Sequence, residues 1–159
     1  MFRSTFTALV TPFRDNAIDV SAFEKLIETQ IAAGITGIVA VGTTGESPTL
    51  SHEEREQAIR LAVTTANKRC QVLAGTGSNA TQHAVADTKM AEKLGADGAL
   101  LVAPYYNKPS QEGLFQHFKA TADATSLPIL LYNIPGRCGV DIGPDTVVRL
   151  ATECRNNPS

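Results

Sequence analysis

Residues 37–47 read GIVAVGTTGES, an apolar run that passes directly into a polar motif bounded by glycines. Two later stretches have the same arrangement: residues 98–113 read GALLVAPYYNKPSQEG, and residues 129–137 read ILLYNIPGR. Hydroxyls, phenols and a guanidinium therefore directly follow apolar runs, which we predict to be strands. Because the carboxyl ends of parallel strands face one way in an α/β protein, these groups can meet at one reaction centre. An enzyme is the leading hypothesis.

Apolar, β-rich runs alternate with amphipathic stretches along the chain. The predicted strands are 6–10, 35–41, 72–74, 98–103 and 128–132, and the predicted helices are 20–33, 52–66, 80–94, 111–124 and 144–152. Runs such as 38–41 and 99–102 are apolar throughout, which is typical of strands covered on both faces and favours a parallel sheet. Five βα units follow one another, and no antiparallel hairpin is indicated. Two architectures fit this pattern: an open doubly wound sheet and part of a barrel.

The predicted helix ends carry residues that suit them. Ser51 followed by Glu54 forms a capping box at the start of the second helix. Gly34 and Gly95 can adopt the left-handed conformation that follows a helix, and Pro144 suits a first helical turn.

The composition is that of an ordinary soluble globular domain. Of 159 residues, 43% are hydrophobic and 19% are charged, and the formal net charge is -2. A chain of this length buries roughly two thirds of its unfolded surface, which is enough for one core. The 14 Lys and Arg residues are scattered, so no run of cations matches successive phosphates, and no nucleic acid partner is predicted.

Neither a membrane span nor secretion is predicted. No apolar stretch approaches the roughly 20 residues of a membrane helix, and the apolar part of the amino terminus is too short for a signal peptide. Three widely spaced cysteines without a Cys-x-x-Cys pair fit reduced thiols. We expect a cytoplasmic protein.

Neither a metal nor a nucleotide cofactor is indicated. His52, His83 and His117 lie far apart in the sequence and have no carboxylates at metal-ligand spacing. Residues 75–77 read GTG, which is neither the GxGxxG motif nor a phosphate-binding loop. We therefore expect chemistry that uses side chains and no cofactor.

The three polar motifs resemble those of the dihydrodipicolinate synthase family. The stretches TPF (residues 11–13) and AGTGSN (residues 74–79) also agree with the family in order and spacing, and the resemblance covers about residues 1–156. It implies a (β/α)8 barrel and a homo-oligomer, usually a tetramer of tight dimers. The implied activity is that of a lyase that condenses pyruvate with aspartate semialdehyde through a Schiff base, on the diaminopimelate route to lysine.

One motif is less specific than the others. The GTTGE loop is shared with N-acetylneuraminate lyase and other pyruvate-dependent aldolases, so it indicates the superfamily alone. The stretch YNKPSQEG (residues 106–113) narrows the resemblance to the synthase. An aldolase similar to N-acetylneuraminate lyase is the alternative within the superfamily.

The resemblance implies roles for five side chains. Thr43, Tyr106 and Tyr132 would form a proton relay, with Tyr106 donated by a neighbouring subunit. Thr44 and the amides around it would bind the pyruvate carboxylate, and Arg137 would bind the carboxylate of aspartate semialdehyde. The residues alone leave simpler interpretations open: tyrosines that pack, a tight turn at the threonines, and an arginine in a surface ion pair.

Four residues match positions at which lysine-inhibited members of the family bind lysine: Ser47, His52, Asn79 and Tyr105. Two neighbouring positions do not match. Arg55 stands where lysine-sensitive members often carry histidine, and His83 stands where they carry a glutamate that pairs with the ligand's ammonium. The resemblance therefore argues against feedback inhibition by lysine.

The family's Schiff-base lysine follows the sixth barrel strand, and no residue of this sequence matches it. Five of the six lysines lie on or beside predicted helices, and Lys108 alone follows a strand, in a loop where we expect it to be exposed. A complete barrel takes about 250 residues, so about five of eight βα units are present. We expect a partial barrel over residues 1–156 and an aberrant tail at 157–159.

Three functional hypotheses follow for the chain alone. It is a fragment of a synthase that is inactive without its nucleophile, a noncatalytic barrel fragment that assembles with itself or with a full-length synthase, or an enzyme of altered chemistry that uses Lys108 or no covalent step.

Overall fold

The computed structural model describes residues 5–154. The predicted aberrant tail at 157–159 lies outside them, as do both ends of the predicted partial barrel. The strands are β1 (Phe6–Ala8), β2 (Phe13–Arg14), β3 (Ala17–Ile18), β4 (Gly37–Ala40), β5 (Gln71–Gly75), β6 (Gly98–Val102) and β7 (Ile129–Tyr132). The helices are α1 (Val20–Ala32), α2 (His52–Ala66), α3 (Thr81–Leu94), α4 (Gln111–Ala122), α5 (Pro135–Cys138) and α6 (Pro144–Glu153), and a 3-10 turn spans Ser47–Thr49.

Five strands form one parallel sheet in the order β1-β4-β5-β6-β7. Every neighbouring pair is parallel, with Ile38 of β4, for example, opposite Val72 of β5. The sheet therefore grows in one direction along the chain. A doubly wound sheet reverses its strand order at a switch point, so that alternative is wrong. The prediction of five successive βα units is confirmed.

Helices cover one face of this sheet as a single layer. α1 contacts α2, α2 contacts α3, α3 contacts α4, and α4 contacts α6. The core lies between the sheet and this layer, where Phe23, Ile38, Leu101 and Phe118 are among the largest fully buried side chains. Complete burial of one such side chain contributes about 1.5–3 kcal/mol, so the helix layer and the sheet stabilise each other.

The opposite face of the sheet is only half buried within residues 5–154. Successive residues of a strand point to opposite faces. Ile38 and Leu101 are fully buried, whereas their neighbours Val39, Leu100 and Val102 are partly exposed. The prediction of strands covered on both faces is therefore wrong for β4 and β6 within the described residues, whereas Leu73 of β5, opposite Val39, is 2% exposed.

A short antiparallel hairpin follows β1, and the prediction of none was wrong. β2 pairs with β3, with Phe13 opposite Ile18. Asp15 and Asn16 form the turn with φ of 53° and 62°, the left-handed pair that a two-residue hairpin loop requires. Asp and Asn tolerate this conformation better than most residues, so the signal was present although no glycine marks it.

The residues named from the sequence as helix-end signals are confirmed in that role. Glu54 Oε2 accepts from Ser51 N at 2.7 Å, and Ser51 Oγ accepts from Glu54 N at 3.2 Å, which completes the capping box of α2. Gly34 and Gly95 have φ of 79° and 91° after α1 and α3. Pro144 is the first residue of α6.

Candidate functional site

A cavity of about 420 Å³ opens at the carboxyl ends of β4, β5, β6 and β7. Leu100 and Val102 line it from the partly exposed face of the sheet, and loops that follow the strands form its rim. The rim includes five of the nine predicted site residues: Thr43, Ser47, Tyr105, Tyr132 and Arg137. Residues that are up to 94 positions apart, Thr43 and Arg137, thus share one cavity.

The loop that carries Thr43 has a strained backbone. Val41 and Glu46 both have φ of 58°, a left-handed conformation that costs a residue with a side chain about 1 kcal/mol or more. Glu46 N donates to Thr43 O at 3.1 Å, and Ser47 N donates to Gly42 O at 3.3 Å. These hydrogen bonds close the loop on itself and present Thr43 at the rim.

Two neighbouring segments hold this loop in place. Thr11 Oγ1 donates to Gly45 O at 2.8 Å, which gives a structural role to the TPF stretch after the first strand. At Gly75 the backbone of β5 approaches the loop after β4 so closely that a Cβ would lie 2.1 Å from Val41 O. Any larger residue there would have to displace backbone.

A buried ion pair supports the same loop from the helix side. Arg55 Nη1 donates to Asp87 Oδ2 at 3.0 Å, and Arg55 Nη2 donates to Ser47 O at 2.7 Å. Asp87 is 6% exposed, and its other carboxylate oxygen lies 3.3 Å from His52 Nδ1. Sequence reasoning missed Asp87, although a carboxylate on the apolar face of a helix signals a buried partner.

Tyr132 and Arg137 bring a phenol and a guanidinium to the opposite side of the cavity. Tyr132 is the last residue of β7, and Arg137 lies in α5, the single helical turn that follows the strand. The Arg137 guanidinium has no hydrogen-bond or ion-pair partner among residues 5–154. The surface ion pair that the sequence left open is therefore absent from that range, and the guanidinium is available to an anion.

Of the five predicted catalytic and substrate-binding residues, two lie outside the cavity lining. Thr44 is exposed beside Thr43. Tyr106 is 87% exposed and has φ of 73°, so its ring projects into solvent from the loop between β6 and α4. Within one chain, the structure brings together two of the three residues of the predicted relay.

The four residues matched to the lysine-inhibited pattern do not share one pocket within residues 5–154. Ser47 and Tyr105 line the main cavity. His52 lines a second cavity of about 360 Å³. Asn79 lies in the loop between β5 and α3, where its carbonyl oxygen accepts from Asn107 Nδ2 at 2.8 Å.

No lysine among residues 5–154 lines the main cavity. Lys108, the one lysine that follows a strand, is exposed, and a Cβ at Gly139 would lie 3.2 Å from its Cε. Its side chain therefore lies along the segment after β7. Cys138 does line the cavity, but burial raises the pKa of its thiol, which keeps the group neutral and weakly nucleophilic at pH 7.

No cluster of three or more side chains that could hold a metal ion occurs in the part of the chain that the structure describes. No helix of residues 5–154 is both long and apolar enough to cross a membrane. The groups that the cavity offers include a threonine hydroxyl, two phenols and a guanidinium, which can transfer protons and bind a carboxylate.

A family model and curated relatives match the chain. The model of the dihydrodipicolinate synthetase family matches residues 1–157. The 4-hydroxy-tetrahydrodipicolinate synthase of Chelativorans sp. (strain BNC1) is 57% identical over 157 residues, which cover 98% of this chain and 54% of the relative. The chain spans about half the length of the curated relatives it matches.

Solved structures are similar over the same span. The 4-hydroxy-tetrahydrodipicolinate synthase of Methylacidiphilum fumariolicum SolV matches with a TM-score of 0.97 and 58% identity, over 98% of this chain and 52% of that chain. The chloride-inhibited dihydrodipicolinate synthase of Acinetobacter baumannii, complexed with pyruvate, matches with a TM-score of 0.90 and 56% identity, over 93% and 51%. The predicted fold class, about five βα units of a (β/α)8 barrel, is confirmed.

Proposed function

The chain belongs to the dihydrodipicolinate synthetase family, and from this premise we propose that it carries the proton-relay part of a 4-hydroxy-tetrahydrodipicolinate synthase site. The proposed reaction condenses pyruvate with aspartate semialdehyde through a Schiff base, without a cofactor, on the diaminopimelate route to lysine. The observation that carries the proposal is the convergence of Thr43, Tyr132 and Arg137 on one cavity at the strand ends.

Proton transfer is assigned to Thr43, Tyr132 and Tyr106. A phenol alone is a poor base near neutral pH because it titrates at about 10. Hydroxyls that donate and accept in series polarise one another, which makes the transfer easier. Tyr106 is 87% exposed, so it is assigned to the relay of a neighbouring subunit. The proposal therefore includes a homodimer or a tetramer.

The two substrate carboxylates are assigned to different loops. Arg137, which has no partner among residues 5–154, is suited to bind the carboxylate of aspartate semialdehyde through two parallel hydrogen bonds. Thr44 and the amides of the glycine-bounded loop around it are assigned to the carboxylate of pyruvate, because small residues let an anion approach backbone N–H groups closely.

The Schiff-base amine is assigned to a lysine that is not among residues 5–154, since no lysine of that range lines the cavity. Incubating the 159-residue chain with pyruvate and borohydride, then weighing the intact protein, tests this assignment. We expect no adduct. A stable adduct on Lys108 would support the altered chemistry instead and would refute the assignment.

Inhibition by lysine through Ser47, His52, Asn79 and Tyr105 is not part of the proposal. The Asp87 carboxylate, which could pair with a ligand ammonium near His52, already binds Arg55. Cys70 and Cys138 are free and buried among the described residues, which supports a reducing, cytoplasmic location for the activity.

A second candidate function is that of a noncatalytic assembly partner. It is favoured by the same two observations: no lysine of residues 5–154 lines the cavity, and Tyr106 is exposed. Size measurement of the chain with and without a full-length synthase separates the two candidates. A complex that lacks any gain in turnover favours the assembly partner.

The main test uses a joined protein, in which residues 1–154 are followed by the remaining part of the M. fumariolicum synthase, the relative with a TM-score of 0.97. We expect it to condense pyruvate with aspartate semialdehyde. Tyr132→Phe and Thr43→Val should each lower kcat by about a hundredfold, the usual contribution of a proton-transfer group.

The matched control is Thr64→Val, which changes an exposed threonine of α2 that donates to Arg60 O at 2.9 Å. We expect it to leave kcat unchanged. A folded joined protein without activity would refute the proposed function, and activity that survives both relay substitutions would refute the assigned roles.

A further inference from the structure

The segment between β7 and α6, residues 133–143, carries Arg137 and is closed at its base by Asn133. Asn133 Oδ1 accepts from Ile142 N at 3.2 Å, and Asn133 Nδ2 donates to Asp141 Oδ1. Ile142 is 5% exposed, so the far end of the segment is anchored in the core. The segment is therefore a closed loop with Arg137 near its middle.

Gln111, the first residue of α4, holds this loop from outside. Its Nε2 donates to Asp141 O at 2.8 Å, and its Oε1 accepts from Gly143 N at 2.9 Å and from Thr146 Oγ1 at 2.7 Å. Gly143 precedes α6 and has no side chain with which to cap it. One carboxamide of a different helix thus fixes the end of the loop and the start of α6.

The position of the Arg137 guanidinium depends on the backbone of residues 133–143. Since no group among residues 5–154 binds the guanidinium, its own contacts do not hold it. α5 is a single turn, and Gly139 at its end has φ of 69°. A shift of the 133–143 backbone therefore moves the guanidinium relative to Tyr132.

Gln111 also borders the loop that carries Tyr106. Ser110 caps the start of α4 with its side chain. Asn107 Nδ2 donates to Asn79 O at 2.8 Å, which ties that loop to the loop between β5 and α3. Gln111, whose side chain fixes the Arg137 loop, therefore directly follows Ser110, the N-cap of α4 at the end of the Tyr106 loop.

We propose that Gln111 is a positioning residue that couples the Tyr106 loop to the Arg137 loop and sets the guanidinium for the second substrate. This inference rests on the proposed function, because it assigns Arg137 to a substrate carboxylate. Loss of Gln111 acts on the binding of aspartate semialdehyde, whereas the pyruvate side of the cavity, built on the loop after β4, is held by other contacts.

The first arm of the test measures hydrogen exchange of the 133–143 backbone in the 159-residue chain and in the joined protein. Gln111→Met keeps the length of the side chain and removes its three hydrogen bonds, and should speed exchange about tenfold. Gln111→Glu keeps the Oε1 acceptor for Gly143 N and Thr146 Oγ1 but sets a carboxylate oxygen against Asp141 O, so exchange should rise in this variant as well.

The matched control is Gln116→Met on the same helix. Gln116 Nε2 donates to Glu112 Oε1 at 2.8 Å and does not contact the loop, so exchange of residues 133–143 should stay unchanged. Unchanged exchange in Gln111→Met would overturn the coupling.

The second arm measures kinetics of the joined protein. Gln111→Met should raise the KM for aspartate semialdehyde about tenfold and leave the KM for pyruvate within about twofold. Equal rises in both KM values, or a loss of kcat alone, would overturn the positioning role. Inactivity of the joined protein without the Gln111 change would refute the proposed function, whereas the exchange arm would still decide the coupling.

Discussion

The two loops that face each other across the cavity are held by different kinds of contact. The loop after β4, residues 41–47, packs against Gly75 so closely that one added carbon would clash. Its end, at Ser47 O, accepts a hydrogen bond from Arg55 of the buried ion pair. The loop after β7, residues 133–143, is held by the exposed side chains of Asn133 and Gln111. Water competes for exposed hydrogen bonds and cannot relieve a steric clash. The loop after β4 is therefore held rigidly by packing. The loop after β7 can shift and is the adjustable loop.

Gly75→Ala should have the largest effect, because the added Cβ would lie 2.1 Å from Val41 O, a backbone atom that cannot turn away. We expect a loss of about 3 kcal/mol or more in the free energy of unfolding. Urea unfolding of the 159-residue chain measures it. Gly136→Ala in α5 is the control, since a Cβ there meets nothing within 4 Å. Equal stability of the two variants would remove the contrast between the loops.

Arg55→Met should have the next largest effect. It leaves the Asp87 carboxylate, 6% exposed, beside the His52 imidazole at 3.3 Å and frees Ser47 O. We expect a loss of about 2–3 kcal/mol, below the usual cost of breaking a buried pair because the imidazole remains. Thermal unfolding measures this loss.

The control for Arg55→Met is Arg60→Met, which removes an exposed pair with Glu56 on the same helix. Such surface pairs contribute less than about 1 kcal/mol. A loss for Arg55→Met as small as that of Arg60→Met would contradict the bracing role of the buried pair.

Asn133→Ala should weaken the adjustable loop and little else. The hydrogen bonds to Ile142 N and Asp141 Oδ1 are lost at an exposed position, so we expect a change of about 1 kcal/mol or less in global stability. Hydrogen exchange should accelerate at residues 133–143 and stay constant at residues 41–47. Faster exchange in both loops would show that they move as one unit.

The smallest effect should be a pH dependence of global stability that originates at His117 on α4. His117 on α4 shares a hydrogen bond of 2.9 Å with Thr81 Oγ1, and burial lowers the pKa of its imidazole. The unfolded chain therefore binds a proton at a higher pH than the folded chain. The stability that neutral His117 contributes is complete above a pH of about 6.5 and is lost as pH falls toward the lower folded value.

His117→Gln should flatten this slope in unfolding experiments between pH 7 and pH 5, whereas the exposed His83→Gln should leave it unchanged. A slope that persists without His117 would assign the acid sensitivity to other groups.

Much of the fold was predictable because its signals are local. α2 begins and ends where the apolar spacing and the Ser51–Glu54 capping box place it. The helix predicted over 111–124 ends at Ala122: Asp123 N still donates to Lys119 O at 2.8 Å, but Ala124 N donates to Thr121 O at 3.1 Å, only three residues back, so the α-helical bonding stops there. The Asp15–Asn16 hairpin was missed because its turn contains no glycine.

The supports of the candidate site were not predictable, because each joins residues that are far apart in sequence. Arg55 and Asp87 are 32 positions apart, and Gln111 and Gly143 are also 32 apart. Spacing within a motif identifies the side chains that follow a strand, such as Thr43. It does not reveal which distant group will hold the loop that carries them.

Tyr106 illustrates a consequence of a costly backbone conformation at the surface. With φ of 73° and 87% of the residue exposed, its ring is directed outward by a left-handed backbone in the free chain. A partner that receives a ring already oriented in this way has less conformational entropy to remove on association. In the proposed homo-oligomer, the left-handed backbone of Tyr106 would cost stability in the free chain and lower the entropic cost of association.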